Sequence, residues 1–149
     1  MINRDALISQ GCVMHWTGEK ATANSPKAIT SVGDVKQILP FPGAGIGMFD
    51  GGGDYLTIPN STDFNISANG SFAFRAWYYH ISGTNPTFIG TCPGTAKTAG
   101  WFICVYENKL WFSATTGTSS WNICNIGSGS VTWVANTWYH IEVSLNAGM

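Results

Sequence analysis

Apolar and polar residues alternate in short runs along most of the chain, and glycine, proline, asparagine and serine separate these runs. Successive side chains of a β-strand point to opposite faces, so a period of two predicts strands, and the spacing typical of a helix is hardly represented. We predict strands near residues 12–17, 28–32, 35–39, 46–50, 54–58, 71–81, 87–91, 100–106, 109–115, 120–126, 130–134 and 137–145. This pattern predicts an all-β protein built as a sandwich or a barrel.

Two of these segments, 71–81 and 137–145, are regular enough to assign both faces of each strand. The side predicted to face the core carries Phe72, Phe74, Ala76, Tyr78, Tyr139, Ile141, Val143 and Leu145. The opposite side carries Ala73, Arg75, Trp77, Tyr79, Trp138, His140, Glu142 and Ser144. Antiparallel sheets commonly bury one face and turn the other toward solvent or a partner. If the two strands are neighbours, we expect Arg75 and Glu142 to pair across them.

Two short segments predict the connections between strands. Residues 40–45, Pro-Phe-Pro-Gly-Ala-Gly, are expected to form a connector, because proline has no N–H for a ladder and glycine is conformationally free. Glu107-Asn108-Lys109 separates two apolar runs and is short enough to close a β-hairpin.

The composition predicts one domain whose surface favours association. A chain of 149 residues suffices for a single core, so we expect one domain over 1–149, with residues 1–11 as a lead-in. Charged residues make up 10% of the chain, whereas about 25% is usual. The net charge is −1 and the basic residues are scattered singly, which argues against binding to nucleic acid.

The first residues of the chain and its cysteines indicate in which cellular compartment the protein is expected. The only apolar run near the start is Ala6-Leu7-Ile8, which is shorter than a secretory signal requires. No run of about 18 apolar residues occurs, so no membrane-spanning segment is expected. The four cysteines, Cys12, Cys92, Cys104 and Cys124, fit no zinc spacing, and we interpret them as reduced structural residues.

The order of the strands adds a resemblance to a known family. The segment from Met48 to Pro59, with its glycine-rich turn, is followed by Phe72–Trp77 and later by Thr137–Val143, each with a tryptophan in a similar setting. Together with Val13–Gly18 and Ala28–Gly33, this order resembles the laminin-G-like jelly rolls of the concanavalin A-like lectin/glucanase superfamily, especially those of bacteriophage virion proteins. The resemblance implies a jelly-roll β-sandwich of two antiparallel sheets.

The chain departs from the family pattern after Asn146, where members of the family normally continue with a turn and closing strands. Either the protein continues beyond the sequence given, or a neighbouring chain supplies the missing strands. An incomplete sandwich exposes unpaired strand edges, which favour strand addition by further copies. Homo-oligomerisation is therefore expected.

The resemblance implies a non-enzymatic role in a virion, as a structural or adhesion module made in the host cytoplasm. Its partners would be other virion proteins, further copies of the chain and a cell-surface glycan. The alternative is a soluble lectin-like domain that binds carbohydrate. The candidate glycan-binding or partner-binding residues are Arg75, Trp77, Tyr79, Trp138 and His140.

A glycoside hydrolase is the third and weakest interpretation. That chemistry requires two carboxylates about 5–9.5 Å apart across the scissile bond, and the acidic residues of this sequence form no such cluster on one strand. The close pair Asp50 and Asp54 brackets a glycine turn. These two residues either hold calcium or cap the turn through its backbone N–H groups, and we favour the capping role. The three histidines, His15, His80 and His140, are expected in strands as hydrogen-bonding groups.

Overall fold

The computed structural model describes residues 28–41, 44–50, 52–65, 70–82, 85–92, 99–117 and 120–146. These residues form antiparallel β-sheets, as the alternating pattern predicts, and the sheets of residues 64–149 pack face to face as an all-β sandwich. The strands are β1 (Thr30–Val32), β2 (Lys36–Phe41), β3 (Ala44–Met48), β4 (Tyr55–Thr57), β5 (Phe72–His80), β6 (Thr87–Gly90), β7 (Gly100–Tyr106), β8 (Lys109–Thr115), β9 (Cys124–Gly127) and β10 (Thr137–Leu145). A single 3-10 turn, Thr62–Phe64, is present in this part of the chain.

The chain divides into two compact units, residues 1–63 and 64–149. In the first unit, β1 pairs with β4 and β2 pairs with β3, both antiparallel. A single domain over the full length, closed as a jelly roll, stays a prediction.

The second unit contains the described hydrophobic core. Its two layers are the ribbon of β5 and β10, paired at nine positions, and a four-stranded sheet in the order β6-β7-β8-β9. Trp101, Ile103, Phe112 and Ala114 of the larger sheet form the buried cluster. The inward side chains of the ribbon that pack against this cluster are Phe72, Phe74, Val143 and Leu145. The predicted inward faces of both ribbon strands are thereby confirmed.

Trp101 is the largest of the fully buried side chains of this core, with 2% of its surface exposed. Its indole Nε1 donates a hydrogen bond of 2.6 Å to the backbone carbonyl of Phe64. Since a buried N–H without a partner costs free energy, this bond allows the indole to fill the core.

The hairpin predicted between two apolar runs is confirmed. β7 and β8 pair along their full length, and Tyr106 lies opposite Lys109. The two turn residues, Glu107 and Asn108, have φ angles of 49° and 60°. Positive φ at both central positions is the geometry of a type I′ turn, whose twist matches that of the flanking strands.

The prediction of a connector over residues 40–45 is wrong at both ends. β2 continues through Pro40 to Phe41, and β3 already begins at Ala44. The pairing register shifts between Ile38 and Phe41, so Pro40 lies within an irregularity of the ladder. Proline is tolerated in strands at such irregularities, because no ladder hydrogen bond requires its missing N–H.

The predicted strand over residues 130–134 is also wrong. The backbone N–H of Val131 donates to the carbonyl of Asn108 at 2.7 Å, and that of Val134 donates to the hydroxyl of Tyr139, also at 2.7 Å. These partners satisfy the segment without a neighbouring strand. The predicted strand over 12–17 lies outside the described residues.

The predicted strand over 120–126 is shorter than expected, since β9 begins only at Cys124. Just before it, the side-chain amide of Asn122 accepts hydrogen bonds from the hydroxyl of Thr115 and from the N–H of Thr116. These bonds hold the start of the segment in a loop, as asparagine commonly does in turns. Among the described residues, no helix is long and apolar enough to cross a membrane.

Candidate binding surface

The outer side of the β5–β10 ribbon collects all five predicted binding residues. The antiparallel register places Arg75 opposite Glu142, Trp77 opposite His140, and Tyr79 opposite Trp138. The outward positions of both strands are exposed and the inward positions are half-buried or buried, in strict alternation. We call this surface, with the further pair Ala73 and Ser144, the ribbon face. The predicted outward sides of both strands are thus confirmed.

Two aromatic pairs form one half of the ribbon face. The rings of Trp77 and His140 have their centroids 5.1 Å apart at an interplanar angle of 52°, and Tyr79 and Trp138 repeat the same distance and angle. The side chain of Trp77 is 71% exposed and that of Trp138 is 46% exposed. Exposed aromatic side chains that are grouped on one face mark a candidate contact surface for a ligand or partner.

The other half of the ribbon face is polar. Arg75 Nη2 lies 3.1 Å from Glu142 Oε1, which confirms the expected pairing across the strands. Both side chains are largely exposed, so the pair contributes only about 0–1 kcal/mol to folding. The arrangement therefore leaves a guanidinium and a carboxylate side by side at the surface, available to other hydrogen-bonding groups.

A shallow groove of about 420 Å³ lies at this polar end. The small side chains of the Ala73–Ser144 pair leave room between the ion pair and the end of the ribbon. The groove is lined by Ser71, Phe72, Ala73, Arg75, Glu142, Ser144, Leu145 and Asn146. The aromatic pairs and the ion pair thus lie on one face, and the groove adjoins the ion pair at the end of the ribbon.

The inward side of the same ribbon holds a buried polar cluster. The hydroxyl of Tyr78 and Nδ1 of His80 are hydrogen-bonded at 2.8 Å, and His80 is only 5% exposed. The ring of Trp133 lies against both side chains, and the ring of Tyr139 lies against Trp133. Burial raises the pKa of the Tyr78 hydroxyl, and nearby Tyr139 raises it further. His80 is thus the buried hydrogen-bonding strand histidine that was predicted, whereas His140 lies on the ribbon face.

The aspartates predicted to cap a turn or hold calcium lie in the first unit. Asp54 accepts the backbone N–H of Asp34 at Oδ1 (2.8 Å) and that of Asp50 at Oδ2 (3.1 Å). Asp50 in turn accepts the N–H of Gly52 at 2.6 Å. In these hydrogen bonds the carboxylates accept backbone N–H groups, as the predicted role in capping the turn requires.

Asp34 completes an acidic group that sequence reasoning missed. One carboxylate oxygen from each of Asp34, Asp50 and Asp54 lies within 4.8 Å of the others. The position of Asp34 just after the first strand of this unit was a sequence signal, but its proximity depends on the pairing of β1 with β4. These oxygens are of the kind that calcium prefers, and calcium binding stays a prediction.

The described cysteines are free thiols, in agreement with the reduced state predicted for them. They are Cys92, Cys104 and Cys124. Burial raises the pKa of all three, so they remain protonated and weakly nucleophilic at neutral pH. Cys12 lies outside the described residues.

Comparison of the chain with models of protein families, with curated proteins and with solved structures finds no match.

Proposed function

We propose that this protein is a non-enzymatic adhesion module of a virus particle, which acts by contact through the ribbon face. The observation that carries the proposal is the exposure of Trp77, Tyr79 and Trp138 together on one side of a two-stranded ribbon. The inward side of the same ribbon is occupied by the core. The outward aromatic rings therefore contribute nothing to that core, and binding is the role their position supports.

The assignment to a virus particle is supported by the sequence. The order of strands resembles the laminin-G-like modules of bacteriophage virion proteins, and the low charge favours stable contact between copies in a particle. A module of this kind displays a binding face on a rigid β-scaffold, and it needs no catalytic group. Copies are expected to associate through strand edges, which leaves the ribbon face free for the surface that the particle contacts.

Adhesion is tested by binding of the fluorescently labelled full chain to a panel of intact bacterial cells of both envelope types. We expect binding to some members of the panel, and a loss of at least tenfold in the variant Trp77→Ala/Trp138→Ala. Both side chains are exposed, so the variant is expected to retain the wild-type melting temperature.

A matched control is Tyr106→Ala, which removes an exposed aromatic side chain near the β7–β8 turn, away from the ribbon face. It should bind as the wild type does. The proposal fails if no cell of the panel is bound, or if the double tryptophan variant and the Tyr106 variant bind equally well.

A further inference from the structure

We propose that the ribbon face binds the headgroup region of a phospholipid bilayer, and that the end of the ribbon with Tyr79 and Trp138 enters first. This inference rests on the proposed adhesion function and names the kind of surface that is contacted. Three observations carry it: the order of polarity along the ribbon, the absence of charge at one end, and the type of side chain exposed there.

The polarity of the ribbon face changes from one end to the other. The first of three successive cross-strand pairs is charged, the second joins an indole to an imidazole, and the third is wholly aromatic. These pairs are Arg75–Glu142, Trp77–His140 and Tyr79–Trp138. The face thus becomes less polar along a single axis.

Two aliphatic side chains extend the less polar end. The ribbon ends with the pair of His80 and Thr137. Ile81 follows His80 directly and is 49% exposed, and Val134 precedes Thr137 by three residues and is 55% exposed. We call this group the apolar end, and its members are Trp77, Tyr79, Ile81, Val134 and Trp138.

The order of polarity fits a bilayer better than it fits a protein partner. A protein interface commonly has an apolar centre that a polar rim surrounds on all sides. The polarity of a bilayer instead falls along one direction, from water through the headgroups to the acyl chains. The ribbon shows the same change along its own axis, so a bilayer can match every level of it at once.

The apolar end carries no charge on either strand or in the segments that leave it. Residues 76–86 and 128–141 contain no aspartate, glutamate, lysine or arginine. Removal of a charged side chain from water is costly. This end of the ribbon can therefore leave bulk water without that cost.

The exposed side chains of the apolar end are of the type that membrane surfaces accept. Tryptophan and tyrosine are enriched where a membrane meets water, because one part of each ring system is apolar and another carries a polar N–H or O–H. Trp77, Tyr79 and Trp138 are all exposed, and they lie on the same face. Their apolar parts would be buried among the lipids, which is the source of affinity.

Distances along the ribbon agree with a shallow insertion. Tyr79 lies two residues from Ile81 and Arg75 lies six, hence about 7 Å and about 20 Å at roughly 3.4 Å per residue. Amphipathic helices that lie on membranes bury their apolar face about 5–10 Å deep. At such a depth Ile81 and Tyr79 are immersed, whereas Arg75 and its partner Glu142 remain in water.

The ion pair determines how binding depends on lipid charge and on salt. Arg75 and Glu142 compensate each other, so the ribbon face has no net attraction for anionic headgroups. Binding that relies on apolar burial is not weakened by salt, unlike binding that relies on exposed charges. We therefore expect the protein to bind zwitterionic bilayers, with little effect of ionic strength.

The test is flotation of the full chain with vesicles in a density gradient, which separates bound protein from self-associated protein. The vesicles are phosphatidylcholine alone, and phosphatidylcholine mixed with phosphatidylglycerol. We expect binding to both, equal within about twofold, and unchanged between about 50 and 500 mM salt.

Two variants remove the apolar end in different ways. Trp77→Ala/Trp138→Ala removes apolar area, and Ile81→Asp places a charge where the ribbon enters the lipid. Each is expected to weaken binding about tenfold or more, with the wild-type melting temperature retained because the changed side chains are exposed. Tyr106→Asp is the matched control, since it adds the same charge at an exposed position away from the ribbon face, and it should bind as the wild type does.

A second measurement locates the contact. Phospholipids with brominated acyl chains quench the fluorescence of tryptophans that reach them. We expect quenching of the wild type, and its loss in Trp77→Phe/Trp138→Phe, which keeps apolar rings and part of the binding. Trp101 is buried in the core and lies out of reach. Undiminished quenching in this variant would assign the contact to another tryptophan and overturn the inference.

The flotation result can also overturn it. The inference fails if no vesicle is bound, if only anionic vesicles are bound and salt releases the protein, or if Ile81→Asp and Tyr106→Asp bind equally well.

Vesicles made from the lipids of the bound cells separate this inference from adhesion itself. If cells are bound through Trp77 and Trp138 but vesicles of their lipids are not, the adhesion function stands and bilayer binding fails. Loss of cell binding after digestion of surface proteins would then identify a protein partner. If the vesicles are bound but no intact cell is, bilayer binding stands and the adhesion function fails.

Discussion

At the scale of single residues, Asp54 shows how one side chain orders two turns that are distant in sequence. Its two carboxylate oxygens accept N–H groups from Asp34, twenty residues away, and from Asp50 in its own turn. Gly33 has a φ angle of 83°, and a Cβ at this position would collide with Oδ1 of Asp54. The glycine and the aspartate are therefore required together.

We expect Asp54→Asn to lower the stability of the first unit by about 1 kcal/mol, because the amide keeps one neutral acceptor and replaces the other oxygen by an NH2 group that cannot accept an N–H. Chemical denaturation followed by circular dichroism measures the change. The loss should be the same with added calcium and with a chelator. A stabilisation by calcium that is present in the wild type and absent in the variant would instead show that these carboxylates hold the ion.

Tyr78 is one of the residues through which alkaline pH acts on the second unit. Its folded pKa is raised by burial, so the folded state holds the proton more tightly than the unfolded chain, whose tyrosine pKa is about 10. The stability it contributes is fully present below about pH 10 and is lost as the pH rises further through the folded value.

The expected result is a free energy of unfolding that declines above about pH 10 more steeply in the wild type than in Tyr78→Phe. At neutral pH this variant should be less stable by about 1 kcal/mol, since the bond to His80 is lost. Urea denaturation at a series of pH values gives both quantities. The buried cysteine thiols also titrate in alkali, but they are present in both proteins, so only Tyr78 can cause a difference between them. Equal pH dependence of the two proteins would therefore contradict the assignment to Tyr78.

At the scale of elements, the β7–β8 hairpin shows a conflict between sequence and geometry. Its type I′ turn places Glu107 at a φ of 49°, a region that favours glycine and asparagine over glutamate. The strands enforce the turn nonetheless. β7 has five consecutive buried residues and β8 has four, and both strands belong to the four-stranded sheet. Burial of this size outweighs the local cost.

The double variant Glu107→Asn/Asn108→Gly should therefore be more stable than the wild type by about 1 kcal/mol. Asparagine adopts a positive φ more readily than glutamate does, and glycine more readily than asparagine. Thermal unfolding measures the gain as a higher melting temperature. The opposite change, Asn108→Val, should lower it, since a β-branched side chain is strained at positive φ. A double variant no more stable than the wild type would show that the turn does not limit stability.

At the scale of the whole molecule, we expect the scarcity of charge and the open edge of β9 to favour association between copies. In the part of the chain that the structure describes, β9 pairs only with β8 and thus forms one edge of its sheet. It carries no charged side chain, and Ile126 on it is 59% exposed. Natural edge strands are commonly protected by lysine or proline, and β9 has neither.

We expect the purified chain to show a molecular mass above 16.0 kDa that rises with concentration in static light scattering. Ile126→Lys should shift it toward the monomer, because a charge on an exposed edge disfavours pairing with another copy. Trp77→Ala should leave the mass unchanged, since the ribbon face is assigned to the ligand. Association that depends on Trp77 and not on Ile126 would assign the ribbon face to self-assembly instead.

Most of the fold followed from the sequence where the alternation was uninterrupted. Strand β10 was predicted with its observed bounds, and β5 to within one residue at each end. The wrong strand predictions fall where side chains bond to the backbone in place of a neighbouring strand, or where the pairing register is irregular. Asn122 is held in a loop by its bonds to Thr115 and Thr116, although the sequence pattern predicts a strand at Asn122. Tyr139 accepts the N–H of Val134, which the sequence pattern also assigns to a strand. Pro40 is accepted in β2 because the register shifts beside it.

The alternation of side chains by itself determined which residues of each strand share a face, because that period is a property of the extended backbone and needs no partner. Only the tertiary structure decided that β5 lies beside β10 in a register that sets Arg75 against Glu142 and Trp77 against His140. Register depends on burial of the inward residues against the other layer. The pairing of β5 with β10 joins segments more than fifty residues apart in the sequence. The sequence thus determined which residues make up the ribbon face, whereas the geometry of that face depends on the core beneath it.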